Sequence, residues 1–428
     1  MSTRVILADD FTGAGDSGVH FARAGYASAL LLDTTGLEQE APRFDVLSIS
    51  TESRFLPPGE AATSVRELAA RCRAVGVEIV FKKVDSTLRG NPGAEIETVL
   101  VSTAIRAALI CTAIPKNKRV CRDGQLYLAG VPLHETEIGR DPFNPVPSSR
   151  IADILALQTA LPAANLSLAD VRSGPEKLAQ RVRSLLDAQC RILIADAETD
   201  ADLAALGALL RSAEKKEHGL FPLLAVGAGG LAEAYTNPLS SPRSDSATPP
   251  KQEGRILAVV GSLTDVSRVQ AELAIKAGAF APLTLDVAAG LLEPEKECAR
   301  LAQEARQAGD AHLLLHTLSR PADNQLTTQD GERAAALFGK AALAISLATP
   351  CPVLYATGGS TAVGIAAAFG IKAIRLETEC MPGVVLSSCV VPATGTKWFI
   401  SKAGGFGSPQ TLQELAERFT PGRSKPFM

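Results

Sequence analysis

The chain is short of the residues that announce several common kinds of protein. Its five histidines and eight cysteines are scattered without any Cys-x-x-Cys, so neither a zinc cage nor a dithiol redox centre is indicated. The thiols (Cys72, Cys111, Cys121, Cys190, Cys298, Cys351, Cys380 and Cys389) read as reduced and mostly buried. His312 and His316 stand four apart but bracket three leucines in a strand-like run, and they read as structural. Trp398, the one tryptophan, reads as a packing residue. The formal net charge is −3 with no long run of either sign, which removes the electrostatic case for nucleic acid or an anionic membrane as partner. No apolar stretch reaches the roughly 18 residues of a spanning helix. The first strand-like run starts so close to Met1 that no signal peptide is expected, and a cytoplasmic location follows. The Walker sequence G-x-x-x-x-G-K-[ST] is also absent, so any nucleotide must be held by another architecture.

What the 428 residues do contain, 46% of them apolar and 21% charged, is enough to bury two ordinary cores. Residues 238–254 are rich in proline, serine and charge and nearly empty of large apolar side chains, which is linker composition. The expected division is a domain over 1–237, a linker over 238–254 and a domain over 255–428. On both sides, short β-branched and leucine-rich runs alternate with alanine-rich helical stretches. That pattern predicts an α/β protein of two lobes with largely parallel sheets, and the interlobe cleft is the expected place for an active site.

Residues 4–19, RVILADDFTGAGDSGV, are the most informative segment. An apolar run ending in charge at a strand's carboxyl end is where open α/β sheets bind ligands. The segment contains Gly13-x-Gly15-x-x-Gly18, and Asp33 ends the next apolar run, so a nicotinamide-dependent dehydrogenase must be weighed. Against it, Asp9 and Asp10 occupy the turn where a pyrophosphate would approach, and each would oppose it by about 1 kcal/mol or more at 4–6 Å. The aspartyl-phosphate turn of haloacid-dehalogenase-like phosphatases needs Asp-x-Asp, whereas these aspartates are adjacent.

Three further segments place more polar residues at strand ends than a fold requires: STESR (50–54), KKVDSTLRGN (82–91) and PKNKR (115–119). Arg54, Lys83, Arg89 and Lys116 are cations able to pair a carboxylate, arginine through two parallel hydrogen bonds. Asp85 and Ser86 can position hydroxyls. Cations for an acid together with carboxylates for hydroxyls point to a small polyhydroxy acid.

The second half has three glycine turns suited to phosphate: VGS ending at Ser262, TGGST (357–361) with Gly358, Gly359, Ser360 and Thr361, and KAGGFGS (402–408) with Gly404 and Gly405. Each offers backbone N–H groups ahead of a helical pattern, where an anion is favoured. The similar run after Gly227 reads as structural.

Taken in order, ADDFTGAGDSG, STESR, KKVDSTLRGN, a proline-basic loop leading to RDPFNPV, VVGS, TGGST, PGVV and SKAGGFG resemble the four-carbon acid sugar kinase family over almost the whole chain. The resemblance implies an N-terminal lobe for the sugar acid, a C-terminal lobe for ATP with Mg2+, and phosphorylation of compounds such as threonate, erythronate or 3-oxo-tetronate. It puts Asp9, Asp10, Arg54, Lys83, Asp85, Ser86, Arg89, Gly90 and Asn91 against the acid, with Lys116 beside them. Asp10, or else Asp9 or Asp85, would be the base. Ser262, Gly358, Gly359, Ser360, Thr361, Lys402, Gly404 and Gly405 would face ATP, Lys402 offsetting phosphate charge. The chain departs from the family pattern at Ser360, where an acidic residue is usual, at Lys118, where a glycine often precedes Arg119, and at Gly15. Metal ligands are not assigned, and the oligomeric state is open, a homodimer included. A sensor that binds both ligands without turnover is the non-enzymatic alternative.

Overall fold

A computed structural model describes residues 3–32, 34–140, 145–236, 254–317 and 328–420. Asp33, most of the RDPFNPV run and all but the last residue of the linker segment lie outside the described residues. The chain divides into two compact units, residues 1–28 with 34–242, and residues 29–33 with 243–428.

The strands of the first half are β1 (Arg4–Ala8), β2 (Ser28–Leu31), β3 (Val46–Ser50), β4 (Glu78–Lys83), β5 (Ala108–Cys111), β6 (Arg119–Arg122), β7 (Gln125–Leu128), β8 (Val131–Pro132), β9 (Ala163–Leu166), β10 (Ile192–Ala195) and β11 (Leu224–Gly227). Seven of them form the sheet of the first unit in the order β3-β1-β4-β11-β5-β10-β9, with every pairing parallel. β5, β10 and β11 are buried along their whole length, as continuous apolar strands covered on both faces should be. Ile6, Phe81, Leu109, Leu193 and Ala225 are fully buried in this core. Because β3 and β4 lie on opposite sides of β1, the connections diverge at its carboxyl end. Asp9 and Asp10 therefore sit at a topological switch point, where such sheets leave a crevice. β6, β7 and β8 make a small antiparallel sheet that the sequence pattern did not announce.

The second unit contains β12 (Ile256–Val260), β13 (Ala281–Thr284), β14 (Leu313–His316), β15 (Val353–Thr357), β16 (Ala373–Met381), β17 (Val384–Val391) and β18 (Gly395–Lys402). β13, β14, β12, β15 and β18 run parallel in that order, and β17 and β16 extend the sheet antiparallel. Residues 29–31 of β2 pair antiparallel with β16, so a segment from the first half of the chain completes the second unit's sheet. The helices Thr328–Ala348 and Gly359–Ala368 touch backbone to backbone: a Cβ on Gly339 would lie 2.1 Å from the Gly364 carbonyl oxygen, and one on Gly364 2.2 Å from that of Ala335. Trp398 is buried in this core, and His312 is a structural residue whose Nδ1 accepts the Ile256 N–H at 3.0 Å.

Candidate active site

The glycine-rich stretch after β1 is not a turn. A helix runs from Phe11 to Arg23 and absorbs Gly13, Gly15 and Gly18, starting earlier than the sequence pattern suggested. The reason is Asp10, which takes the extended N-cap conformation and accepts the Gly13 N–H at 2.9 Å and the Thr12 hydroxyl at 2.7 Å. A glycine turn for pyrophosphate is thereby replaced by a carboxylate-capped helix. Gly13 leaves room for that carboxylate: a Cβ there would lie 2.4 Å from Asp10 Oδ1 and 2.9 Å from Lys83 Nζ.

Arg54 joins both aspartates. Its Nε and Nη2 donate to the two Asp9 oxygens at 2.9 Å each, while Nη1 and Nη2 donate to Asp10 at 2.9 and 2.7 Å. The loop after β3 is fixed for this task by the Thr51 N–H on Ala8 O (2.9 Å) and the Ser53 N–H on Asp9 O (3.0 Å). Glu52 takes φ 47°, Leu88 φ 58° and Gly90 φ 93°, so both cation-bearing loops turn through the left-handed region. Gly90 is needed there, since a Cβ would press on Arg54 at 3.1 Å. Burial alone would raise the Asp9 carboxyl, but Arg54, Lys82 and Lys83 outweigh it and hold it below its ordinary value. The Asp9 side chain is 3% exposed and that of Asp10 15%, which makes Asp10 the more accessible oxygen donor.

β4 ends in two lysines, which alternation sends to opposite faces. Lys82 is enclosed and pairs with Glu95 of the helix Pro92–Ser102 at 2.6 Å, and Ser53 Oγ donates to the other Glu95 oxygen at 2.6 Å. Burial raises the Glu95 carboxyl, with Lys82 opposing and Asp9 adding to the rise. Lys83 is on the site side, where its ammonium donates to Val84 O at 3.0 Å. Beyond it, Asp85 accepts from Arg89 Nε at 3.0 Å and Nη2 at 3.2 Å. Burial would raise Asp85, but Arg54 and Arg89 keep it well below the usual carboxylate range. Arg119 donates to Ser86 Oγ, and its charge also acts with those of Asp85, Arg89 and Asp16.

Three of the expected acid-facing residues have other work. Asn91 is buried and its amide donates to the Ser53 and Leu56 carbonyls at 3.0 and 2.8 Å, bonds that shape the Arg54 loop. Gly90 contributes space, and its carbonyl accepts from Gln158 at 2.9 Å. Lys116 is 62% exposed and lies 3.2 Å from Glu233, so it is not gathered with the aspartates; the loop Pro115–Lys118 turns it outward and presents Arg119 instead. Sequence reading quoted Arg119 but gave it no role, because a cation at a strand start looks like any surface residue. Glu95 and Gln158 carry no motif signal at all.

In the second unit the three glycine turns assemble into one cradle. A Cβ on Gly404 would meet Ser262 Oγ at 2.2 Å, one on Gly261 would meet Thr361 Oγ1 at 2.1 Å, and one on Gly358 would touch Ser262 Cβ at 3.5 Å. Thr264 and Ser267 hydroxyls both donate to Gly404 O at 2.9 Å. The helix Gly359–Ala368 begins without a side-chain cap, leaving its first N–H groups for an anion, with Ser360 exposed and Gly359 half-buried beside it. Lys402 departs from expectation. It is 1% exposed, and its ammonium donates to the carbonyls of Ala403, Gly404 and Phe406 at 3.0, 3.2 and 3.0 Å, so it holds the Gly404–Gly405 loop from beneath. Beside the cradle is a cavity of about 150 Å³ with a mixed wall, apolar at Val260, Leu263, Ala271 and Ile275 and polar at Ser262, Arg268, Glu272, His316 and Thr317. Among the described residues, no group of three His, Cys, Asp or Glu side chains could hold a metal ion, and no helix is long and apolar enough to cross a membrane.

Comparison with known proteins places this geometry. Residues 4–235 match the model of a sugar-binding N-terminal domain and residues 257–412 that of a nucleotide-binding C-terminal domain. The fold and site thus define a two-domain enzyme that binds a sugar and a nucleotide. The chain belongs to the four-carbon acid sugar kinase family, phosphotransferases with an alcohol group as acceptor. It is 34% identical to a D-threonate kinase of Salmonella typhimurium, over 95% of this chain and 96% of that protein. It is 30% identical to a D-erythronate kinase of Heliobacterium modesticaldum, over 95% of each, and 28% identical to a 3-oxo-tetronate kinase of Cupriavidus necator, over 95% of each.

Proposed function

We propose that this protein transfers the γ-phosphoryl group of ATP to a four-carbon sugar acid of the threonate, erythronate or 3-oxo-tetronate type, on a hydroxyl distal to the carboxylate. The acid is assigned to residues 1–237 and the nucleotide to residues 255–428, with the segment between them as the tether. The observation that carries the reading is the Asp9–Asp10–Arg54 triad at the switch point of the first sheet, in a chain whose second unit gathers three phosphate-suited turns.

Phosphoryl transfer asks for positioning, charge neutralisation and a base for the attacking hydroxyl. Asp10 is assigned the base, being held at the helix N-cap and more accessible than Asp9, which stays ionised and holds Arg54. Four bonds to the aspartates occupy Arg54, so the acid's carboxylate is assigned to Arg89 and Arg119 beside Ser86, with Lys83 between the two ends of the substrate. In the second unit, the phosphates are assigned to Ser262, Thr361 and the N–H groups of Gly359, Ser360, Gly404 and Gly405. The cavity beside the cradle is assigned to the nucleobase. A magnesium ion arriving on the phosphates would take oxygen ligands and offset their charge, and the exposed Ser360 hydroxyl would be one such ligand, while the peptide N–H groups would meet phosphate oxygens.

Coupled ADP-release assays across the stereoisomers of threonate, erythronate and 3-oxo-tetronate test the proposal. One acid should raise ATP turnover at least about 100-fold over ATP alone. No stimulation by any of them, together with stabilisation by NAD and not by ADP in a thermal-shift screen, would favour a dehydrogenase instead.

A further inference from the structure

We infer that Lys402 is a positioning residue for the nucleotide's phosphates: from beneath the loop it turns the peptide planes of residues 403–407 so that the Gly404, Gly405 and Gly407 N–H groups point outward as an anion nest. The inference rests on the second unit binding a nucleotide, and deepens it by giving the lysine an indirect role in place of the direct contact its motif suggested.

The geometry starts from β18. Lys402 is its last residue, in register with Thr357 of β15, and it is enclosed as the strand ends. An ammonium there has three N–H bonds to place, and it places them on the carbonyls of Ala403, Gly404 and Phe406. In a trans peptide the carbonyl of one residue and the N–H of the next point in opposite directions. Three carbonyls drawn inward therefore send the amides of Gly404, Gly405 and Gly407 away from the lysine. None of these three amides has a hydrogen-bond acceptor among the described residues. Neighbouring groups reinforce the same orientation: Thr264 and Ser267 hydroxyls draw on Gly404 O, and Gln270 Nε2 donates to Phe406 O and Ser408 O at 3.0 and 2.8 Å. Gly407 has φ 84°, the left-handed step that lets successive amides converge on one side. Outward amides of this kind complement a phosphate, whereas inward ones would turn carbonyl oxygens toward it.

The device has a measurable signature. Burial alone pushes the Lys402 ammonium down to about 8, with no charged side chain contributing; the polar groups around it from the helix Asp265–Lys276 and from β15 are the neutral Thr264, Ser267, Gln270 and Thr357. Above that pH the neutral amine has only two N–H bonds and no charge to organise the loop, so the nest should loosen. A phosphate in the nest favours the protonated form, and its affinity must therefore fall as pH rises.

Isothermal titration of ADP with magnesium into the full-length protein between pH 7 and 9.5 tests this. Wild type should lose affinity above about pH 8, approaching tenfold per pH unit. Lys402→Met should bind ADP about 10- to 100-fold more weakly at pH 7, the range expected for losing hydrogen bonds from a charged group, and show no further fall with pH. Lys402→Arg, which stays charged, should retain binding at pH 9.5. Threonate or erythronate affinity, measured on the same samples, should be unchanged and reports that the variants are folded. ADP affinity that is flat with pH in wild type, or equal in Lys402→Met and wild type, would overturn the inference. Absence of ADP binding by wild type at every pH would instead overturn the nucleotide reading beneath it.

Discussion

At Gly13 the missing Cβ leaves room for the carboxylate of Asp10, the proposed base. An alanine methyl would overlap the Asp10 carboxylate that Arg54 and the helix N-terminus hold in place. The colliding atoms are side-chain ends, so stability should fall by only about 1 kcal/mol, at the low end of overpacking. The proposed base would be displaced, and misplacement of a reacting group costs far more in rate. Gly13→Ala is therefore expected to lower kcat about 10- to 100-fold with a small change in melting temperature, read by steady-state kinetics and calorimetry together. Lys118 is the opposite case. It holds φ 56° and ψ 28°, in the left-handed region that favours glycine. A left-handed non-glycine residue costs roughly 1–2 kcal/mol and a glycine's extra freedom about half that. Lys118→Gly should stabilise the protein by about 0.5–1 kcal/mol in urea unfolding; a loss of stability would mean that the lysine side chain is anchored.

Between elements, the enclosed Lys82–Glu95 pair links β4 to the helix Pro92–Ser102 beneath the Arg54 loop. Two charges that are 0% and 1% exposed cost much desolvation, and removing one partner leaves the other uncompensated. Lys82→Met should destabilise by roughly 3–5 kcal/mol, and Lys82→Met with Glu95→Leu should recover most of that loss. A double variant no better than the single would show that the pair acts through something besides charge compensation. The paired lysines at the end of β4 were legible as cations at a strand end, but their division of labour was not. Alternation says only that they part; which face meets a glutamate depends on helix placement. β6–β8 and β17 escaped for another reason: they pair with neighbours in sequence, but β6–β8 are only two to four residues long and β17 is interrupted by serines, so neither writes a clear strand pattern.

For the whole molecule, the fold class was legible because buried parallel strands write themselves as continuous apolar runs, as in β1, β5, β10 and β11. The pairing of β2 with β16 was not, since a strand's sequence does not name its neighbour. The aspartate pair, Arg54 and the three glycine turns were visible as charge or glycine at strand ends. Arg119, Glu95 and the inward turn of Lys402 were not, because each depends on tertiary placement. The enclosed carboxylates also fix how the protein responds to acid. Asp9 and Asp85 are held below their ordinary values, so near and below pH 4 the unfolded chain binds more protons than the folded one. Their stabilisation is fully present above about pH 5 and is lost as pH falls. Chemical denaturation from pH 7 to 3 should show that decline, and Asp85→Asn should flatten it.

The most direct test of the account is Asp10→Asn, assayed for turnover and for binding on the same preparation. With Asp10 as the base, kcat should fall about 100- to 10,000-fold, the span of lost general-base catalysis, while ADP and sugar-acid affinities stay within about threefold of wild type. Near-normal kcat with unchanged binding would contradict it.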